Sequence, residues 1–246
     1  SRGEAGAIEI GPQPVLAVED VEHAEVHADV LRRHPEGGEV DDADALERER
    51  PCRWRPAARG GGERVRIPDA LASTAALALI LRRRFKRQVT VAYGGIIGRA
   101  ENREMVRSLR LPLSHLRNVN KRNYSAFAMV DCQPWSGNSQ LPRTVVPDLV
   151  IDHHPLRKTT LAAATVDVRP RYGATATILA EYLEASGLKP SRALATGLVY
   201  AIRSETQDFG REAAGPDHAA FDGLLPRIDR RMLARIQSAR LPLVYF

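Results

Sequence analysis

Two short apolar runs in this chain end on groups that bind hard cations. Residues 148–155 read Asp-Leu-Val-Ile-Asp-His-His-Pro, so a β-branched run stops abruptly at Asp152, His153 and His154. Residues 126–131, Ala-Phe-Ala-Met-Val-Asp, stop in the same way at Asp131, and Cys132-Gln133-Pro134 then breaks the run. In open α/β sheets, ligands bind outside the carboxyl ends of such strands. Carboxylate oxygen and imidazole nitrogen without thiolate suit Mn²⁺, with Mg²⁺ or Co²⁺ as alternatives and Zn²⁺ as a further one. The implied chemistry is a metal-assisted reaction at the rim of a sheet.

Two further acids fall where elements should begin or end. Pro68-Asp69-Ala70-Leu71-Ala72-Ser73 opens an Ala- and Leu-rich stretch with a carboxylate, and Arg203-Ser204-Glu205-Thr206-Gln207-Asp208 closes an apolar one. Taken alone, Asp69 reads as a helix-start acid favoured by the dipole, and Glu205 and Asp208 as solvated acids at a helix end.

The elements that must place these groups follow from periodicity and punctuation. Strands are expected at 89–93, 126–131, 147–152 and 163–168, and helices at 70–85, 101–109, 174–186, 191–204, 216–224 and 229–239. Strands alternating with helices indicate an α/β fold with a parallel sheet and helices on both faces. Residues 1–66 differ. They hold few large apolar groups and one aromatic, Trp54, and the tract 50–62 is rich in arginine and glycine. An irregular N-terminal segment is expected there, with a modest helix at 20–33, followed by one domain over 67–246.

The formal charge of +6 favours an anionic partner such as a nucleotide, an oligonucleotide or another phosphate ester. With only Cys52 and Cys132, neither a disulfide framework nor a zinc–thiolate site is expected, and a reducing cytoplasm fits. No run is apolar enough for a membrane span. His23-Ala-Glu-Val-His27 has a spacing that can bind zinc but lacks the metalloprotease order. Gly94-Gly95-Ile-Ile-Gly98 is read as a turn beside the cleft.

In their order along the chain, Asp69-Ala-Leu-Ala-Ser73, Val130-Asp131, Asp152-His153-His154 and Ser204-Glu205-Thr206 resemble the DHH phosphoesterase superfamily. The likeness runs from about residue 67 to the C-terminus. It is greatest to the RecJ-like branch of nanoRNases and pAp phosphatases, which Gly173-Ala-Thr-Ala-Thr177 and the 91–103 stretch also resemble. The resemblance implies a two-metal, usually Mn²⁺-dependent phosphoesterase. By it Asp131 bridges the metals, Asp69, His153 and Glu205 complete one shell, with Asp208 as fallback, and Asp152 belongs to the metal set. His154 faces the phosphate, with Arg99, Arg203 and Arg211 as candidate phosphate clamps. Short oligonucleotides or nucleotides are the implied substrates, and a homodimer is left open.

Two departures keep alternatives open. The family's first motif, His-x-x-x-Asp-x-Asp, falls here on Glu63, Ile67 and Asp69, so one metal shell lacks its usual ligands. The Gly-Gly-x-x-His signature of a substrate-binding domain is missing as well. A weakly active or non-catalytic nucleotide-binding module and a pyrophosphatase-like hydrolase therefore stand beside the phosphoesterase reading.

Overall fold

The computed structural model of the chain describes residues 14–18, 67–136 and 141–240. The helix expected at 20–33, the His23/His27 pair, the 50–62 tract and Glu63 lie outside the described residues.

A six-stranded sheet forms the centre, in the order β3-β2-β1-β4-β5-β6. The strands are β1 (Pro14–Val18), β2 (Val89–Tyr93), β3 (Leu113–His115), β4 (Ala126–Val130), β5 (Leu149–Asp152) and β6 (Thr165–Val168). β2–β3, β4–β5 and β5–β6 pair in parallel, while β1 pairs antiparallel with both β2 and β4. All strands but β1 thus run the same way, and their carboxyl ends share one rim.

β4 is buried at every position because both its faces are covered. Ala126, Ala128 and Val130 enter one apolar cluster, and Phe127 and Met129 the other. The first cluster is shared with the α-helices: α1 (Ile67–Arg84), α2 (Ala100–Leu109), α3 (Thr175–Ala185), α4 (Arg192–Glu205), α5 (Gly215–Leu224) and α6 (Arg230–Gln237). The second lies under 3-10 turns and loops carrying Leu116, Val119, Leu141 and Ala163. Helical segments thus cover both faces, as α-helices on one and short 3-10 turns on the other.

α1 is buried almost all round between Ala70 and Ala78, as a helix enclosed by sheet and helices must be. It packs on α3 and α4 as well as on β1 and β2. α2 reaches α4 closely because Gly197 has no side chain; a Cβ there would lie 3.0 Å from Leu109 Cδ2.

The expected elements from residue 67 onward are found within about three residues of their predicted bounds. Two strands were not expected. β3 has only three residues, too few for a period, and β1 arises in the segment read as irregular. Pro14-Val-Leu-Ala-Val18 is β-branched enough to pair, and its neighbours on both sides are strands.

Asp217 locks the start of α5 to the turn before α3. It is 0% exposed and accepts hydrogen bonds from Gly173 N (2.8 Å), Ala214 N (2.8 Å) and Thr177 Oγ1 (2.5 Å). Asp217→Ala strands these buried donors, so urea denaturation should show a loss of about 3 kcal/mol in stability, through a lower midpoint at unchanged slope.

Candidate functional site

The carboxyl ends of β4, β5 and β6 and the amino end of α3 converge on one point. Asp131 follows β4 directly and takes the left-handed region (φ 59°), which aspartate tolerates better than most residues. Its backbone N–H still donates to Ile151 O (2.9 Å), so the turn begins without losing the sheet. β5 ends on Asp152 itself, and His153 and His154 follow.

His153 carries the arrangement. Its Nδ1 lies 3.2 Å from the carbonyl oxygen of Tyr172. A carbonyl only accepts, so Nδ1 bears a hydrogen and the ring turns Nε2 the other way. Nε2 is buried with no hydrogen-bond partner, 3.6 Å from Asp131 Oδ1 and 3.8 Å from Asp69 Oδ2. Two carboxylates facing one another away from water repel unless a positive charge stands among them.

Asp69 reaches this point from the first turn of α1, and α3 holds it there. Oδ1 accepts from Ser73 Oγ (3.0 Å) and Ala176 N (2.7 Å), and Oδ2 from Thr175 N (2.8 Å). It therefore satisfies the orphan amides of α3, whose N-cap residue Ala174 has no side chain to do so. Thr175 Oγ1 in turn donates to Asp131 Oδ1 (3.0 Å). The close fit needs Gly173, where a Cβ would sit 2.6 Å from Thr206 Cγ2 and 2.8 Å from Glu212 O.

Asp152 serves the two histidines. Its Oδ1 accepts from His153 N (2.8 Å) and from His154 Nδ1 (2.8 Å), and its Oδ2 from Gln133 Nε2 (2.8 Å). Burial works to raise its pKa, but the bonds from His154 and Gln133 prevail and hold the carboxyl below its ordinary value. The same bond from Asp152 raises His154 above the ordinary imidazole value, against the effect of burial. Gln133 also fixes the loop after β5, since its Oε1 accepts from Arg157 N (2.8 Å) and Thr160 Oγ1 (2.6 Å).

Asp131, His153 and His154 each offer a ligand atom, all within 4.8 Å of one another, a set that could hold a metal ion. Within that set His154 differs. Its Nδ1 is committed to Asp152, and its side chain is 51% exposed. That leaves an oriented ring facing outward, its charged form favoured by Asp152, with Asp69, Asp131 and His153 as the inward donors. Glu205, the last residue of α4, acts electrostatically on both Asp131 and His154.

The predicted residues Asp69, Asp131, His153 and His154 are thus brought together, with Asp152 behind them and Glu205 near. The arginine candidates have local partners. Arg203 Nε pairs with Asp208 Oδ1 at 2.5 Å, Arg99 stands at the start of α2 and acts on Tyr200, and Arg211 pairs with Glu212 at 3.9 Å. Ile67 opens α1 and supplies no ligand. Thr175, Gln133, the Tyr172 carbonyl and Asp217 were not singled out from the sequence, although the small-residue run 173–177 marks the first of them.

No protein-family model matches the chain. It is 39% identical over 175 residues to the uncharacterized protein MJ1633 of Methanocaldococcus jannaschii; the match covers 71% of this chain and 35% of that protein. The chain thus spans about a third of its relative's length. Among solved structures it is similar to an exopolyphosphatase-related protein from Bacteroides fragilis, at 16% identity and a TM-score of 0.34, over 39% of this chain and 29% of that one.

Burial raises the pKa of Asp131 well above the ordinary value, and the charges of Asp69, Asp152 and Glu205 add to the effect. An acid raised on folding binds its proton longer in the native state, so stability falls as pH rises from the unfolded value to the folded one. In chelator at neutral pH, Asp131→Asn should therefore stabilise the protein by on the order of 1 kcal/mol, read by thermal melting. Added Mn²⁺ should reverse the ranking.

Proposed function

We propose that the chain is a divalent-cation-dependent hydrolase of phosphoester bonds. The observation that carries the cation is the buried, unpartnered Nε2 of His153 aimed between Asp69 and Asp131. The order of the four motifs, with their likeness to DHH phosphoesterases, and the net charge of +6 support a phosphate ester as the substrate.

Asp69, Asp131 and His153 would hold the cation, and Glu205 acts on the same point electrostatically. Oxygen and imidazole donors without thiolate suit Mn²⁺, with Mg²⁺ or Co²⁺ as alternatives. Such an ion supplies Lewis-acid stabilisation of phosphoryl oxygens and a water that deprotonates near neutral pH. His154 then has the role open to an exposed imidazole. Asp152 fixes its Nδ1–H and favours its charged form, so the ring can hold a phosphoryl oxygen or give a proton to the leaving oxygen. Short oligonucleotides and nucleotides are the substrates that best fit the resemblance.

A second reading, cation and nucleotide binding without turnover, is favoured by one observation. Among the described residues, donors gather around one point only, and Ile67 stands where the resemblance expects another acid.

Titration with Mn²⁺ in the presence of a generic phosphodiester separates the two. The hydrolase reading expects metal uptake with turnover, and uptake alone supports the binding module. His153→Ala should abolish uptake. His154→Ala should leave uptake intact and slow turnover by about 10²-fold or more. Equal turnover in His154→Ala and wild type would remove His154 from the chemistry.

A further inference from the structure

Resting on the cation site just proposed, we infer that Arg169, Tyr172 and Glu181 are positioning residues for it, acting through the imidazole of His153. The link is the turn that leaves β6. Tyr172 N donates to Arg169 O (3.0 Å), and the carbonyl of Tyr172 receives His153 Nδ1 (3.2 Å). Where that carbonyl is held decides which nitrogen of His153 carries the hydrogen. It thereby decides which nitrogen is left to face Asp69 and Asp131.

The turn is held by a cluster of side chains that the sheet does not need for its own pairing. Arg169 donates Nε and Nη2 to the two oxygens of Asp167 at 2.8 Å each, a fork geometry that fixes the plane of the guanidinium. Its Nη1 donates to Glu181 Oε2 (2.6 Å) and to the Tyr172 hydroxyl (3.3 Å). That hydroxyl donates to Glu181 Oε1 (3.0 Å), and the guanidinium lies 5.2 Å from the ring centre of Tyr172 and 5.7 Å from that of Tyr182. Tyr182 also donates to Asp167. β6 is already joined to β5 along Thr165–Val168, and Arg169 N extends the pairing to Asp152 O (2.9 Å). The added side-chain cluster fixes something the ladder leaves free: the ring, and hence the carbonyl, of Tyr172. Partners that orient a ligating imidazole through its other nitrogen typically change metal affinity by about 10–100-fold when lost.

The test compares wild type with Arg169→Lys, Tyr172→Phe and Glu181→Gln. Glu104→Gln serves as control, since it weakens the pairs of Glu104 with Arg107 on α2 (2.5 Å) and with Arg235 on α6 (3.6 Å). Nitrogen-15 spectra of the metal-free proteins, above the titration range of imidazole, report the tautomer of His153, assigned through its loss in His153→Gln. Free Mn²⁺ followed by electron paramagnetic resonance reports affinity. Wild type and Glu104→Gln should hold His153 as the Nδ1–H tautomer, whereas Arg169→Lys, Tyr172→Phe and Glu181→Gln should mix the tautomers and weaken Mn²⁺ by about 10-fold. Unchanged tautomer and affinity in all three variants overturn the inference. So does an equal loss of affinity in Glu104→Gln, which would mark a general effect of stability. If Arg169→Lys does not fold, Tyr172→Phe decides, because it keeps both the ring and the carbonyl. A wild-type protein that takes up no Mn²⁺ sinks the cation reading instead, and the tautomer spectra still judge the positioning role.

Discussion

Asp131 sits at the end of a strand buried at every position, is 3% exposed itself, and has three other acids acting on it. Burying a carboxylate without a counter-charge is unfavourable, and each nearby acid makes it more so. The surroundings relieve only part of this. Thr175 donates one hydrogen bond to it, while the nearest imidazole nitrogen, His153 Nε2, makes no hydrogen bond. A fold that keeps such a group ionisable is less stable than it would be with a neutral side chain there. The same unrelieved charge becomes binding free energy once a divalent cation arrives, which is how activity and stability come to oppose one another at built sites.

One short segment transmits this design. From Arg169 to Thr177 the chain meets every element of the site in turn: Arg169 N on Asp152 O, Tyr172 O on His153, and Gly173 N on Asp217. Thr175 and Ala176 then bond Asp69, Thr175 Oγ1 bonds Asp131, and Thr177 Oγ1 bonds Asp217. The residues at 173–176 are small because the backbone of α3 has to approach two carboxylates closely, and a larger side chain at 173 would strike Thr206 and Glu212. Positioning the site from backbone amides makes it rigid, since amides of a helix start cannot rotate away as side chains can.

Much of this was legible in the sequence, and the rest was hidden for physical reasons. Strand ends on Asp131 and Asp152 are visible because a buried strand stays apolar until it reaches the rim, the first place where a carboxylate is tolerated. The helices from α1 to α6 show in their periodicity and punctuation. β3 is too short to have a period, and β1 stands alone in a stretch whose composition is polar around it. The division of labour among Asp152, His153 and His154 was not legible either. All three sit on consecutive positions, and only the turn after β5 shows that one aspartate orients one histidine while Tyr172 orients the other. Gln133 and Asp217 act across 19 and 44 residues of sequence, a separation at which single-sequence patterns carry no signal.

The distribution of positive charge bears on how an anionic substrate is balanced. A phosphate ester brought to this rim adds negative charge to a site already holding Asp69, Asp131 and Glu205. Arg203 pairs with Asp208 and Arg211 with Glu212, and Arg169 is held by Asp167 and Glu181. On the proposed reading, compensation would come from the cation and from His154, whose charged form Asp152 favours. Asp152 stands behind the histidines and not among the inward donors: as a further ligand it would add negative charge to a cation's shell, whereas from behind it favours a positive imidazole at the rim.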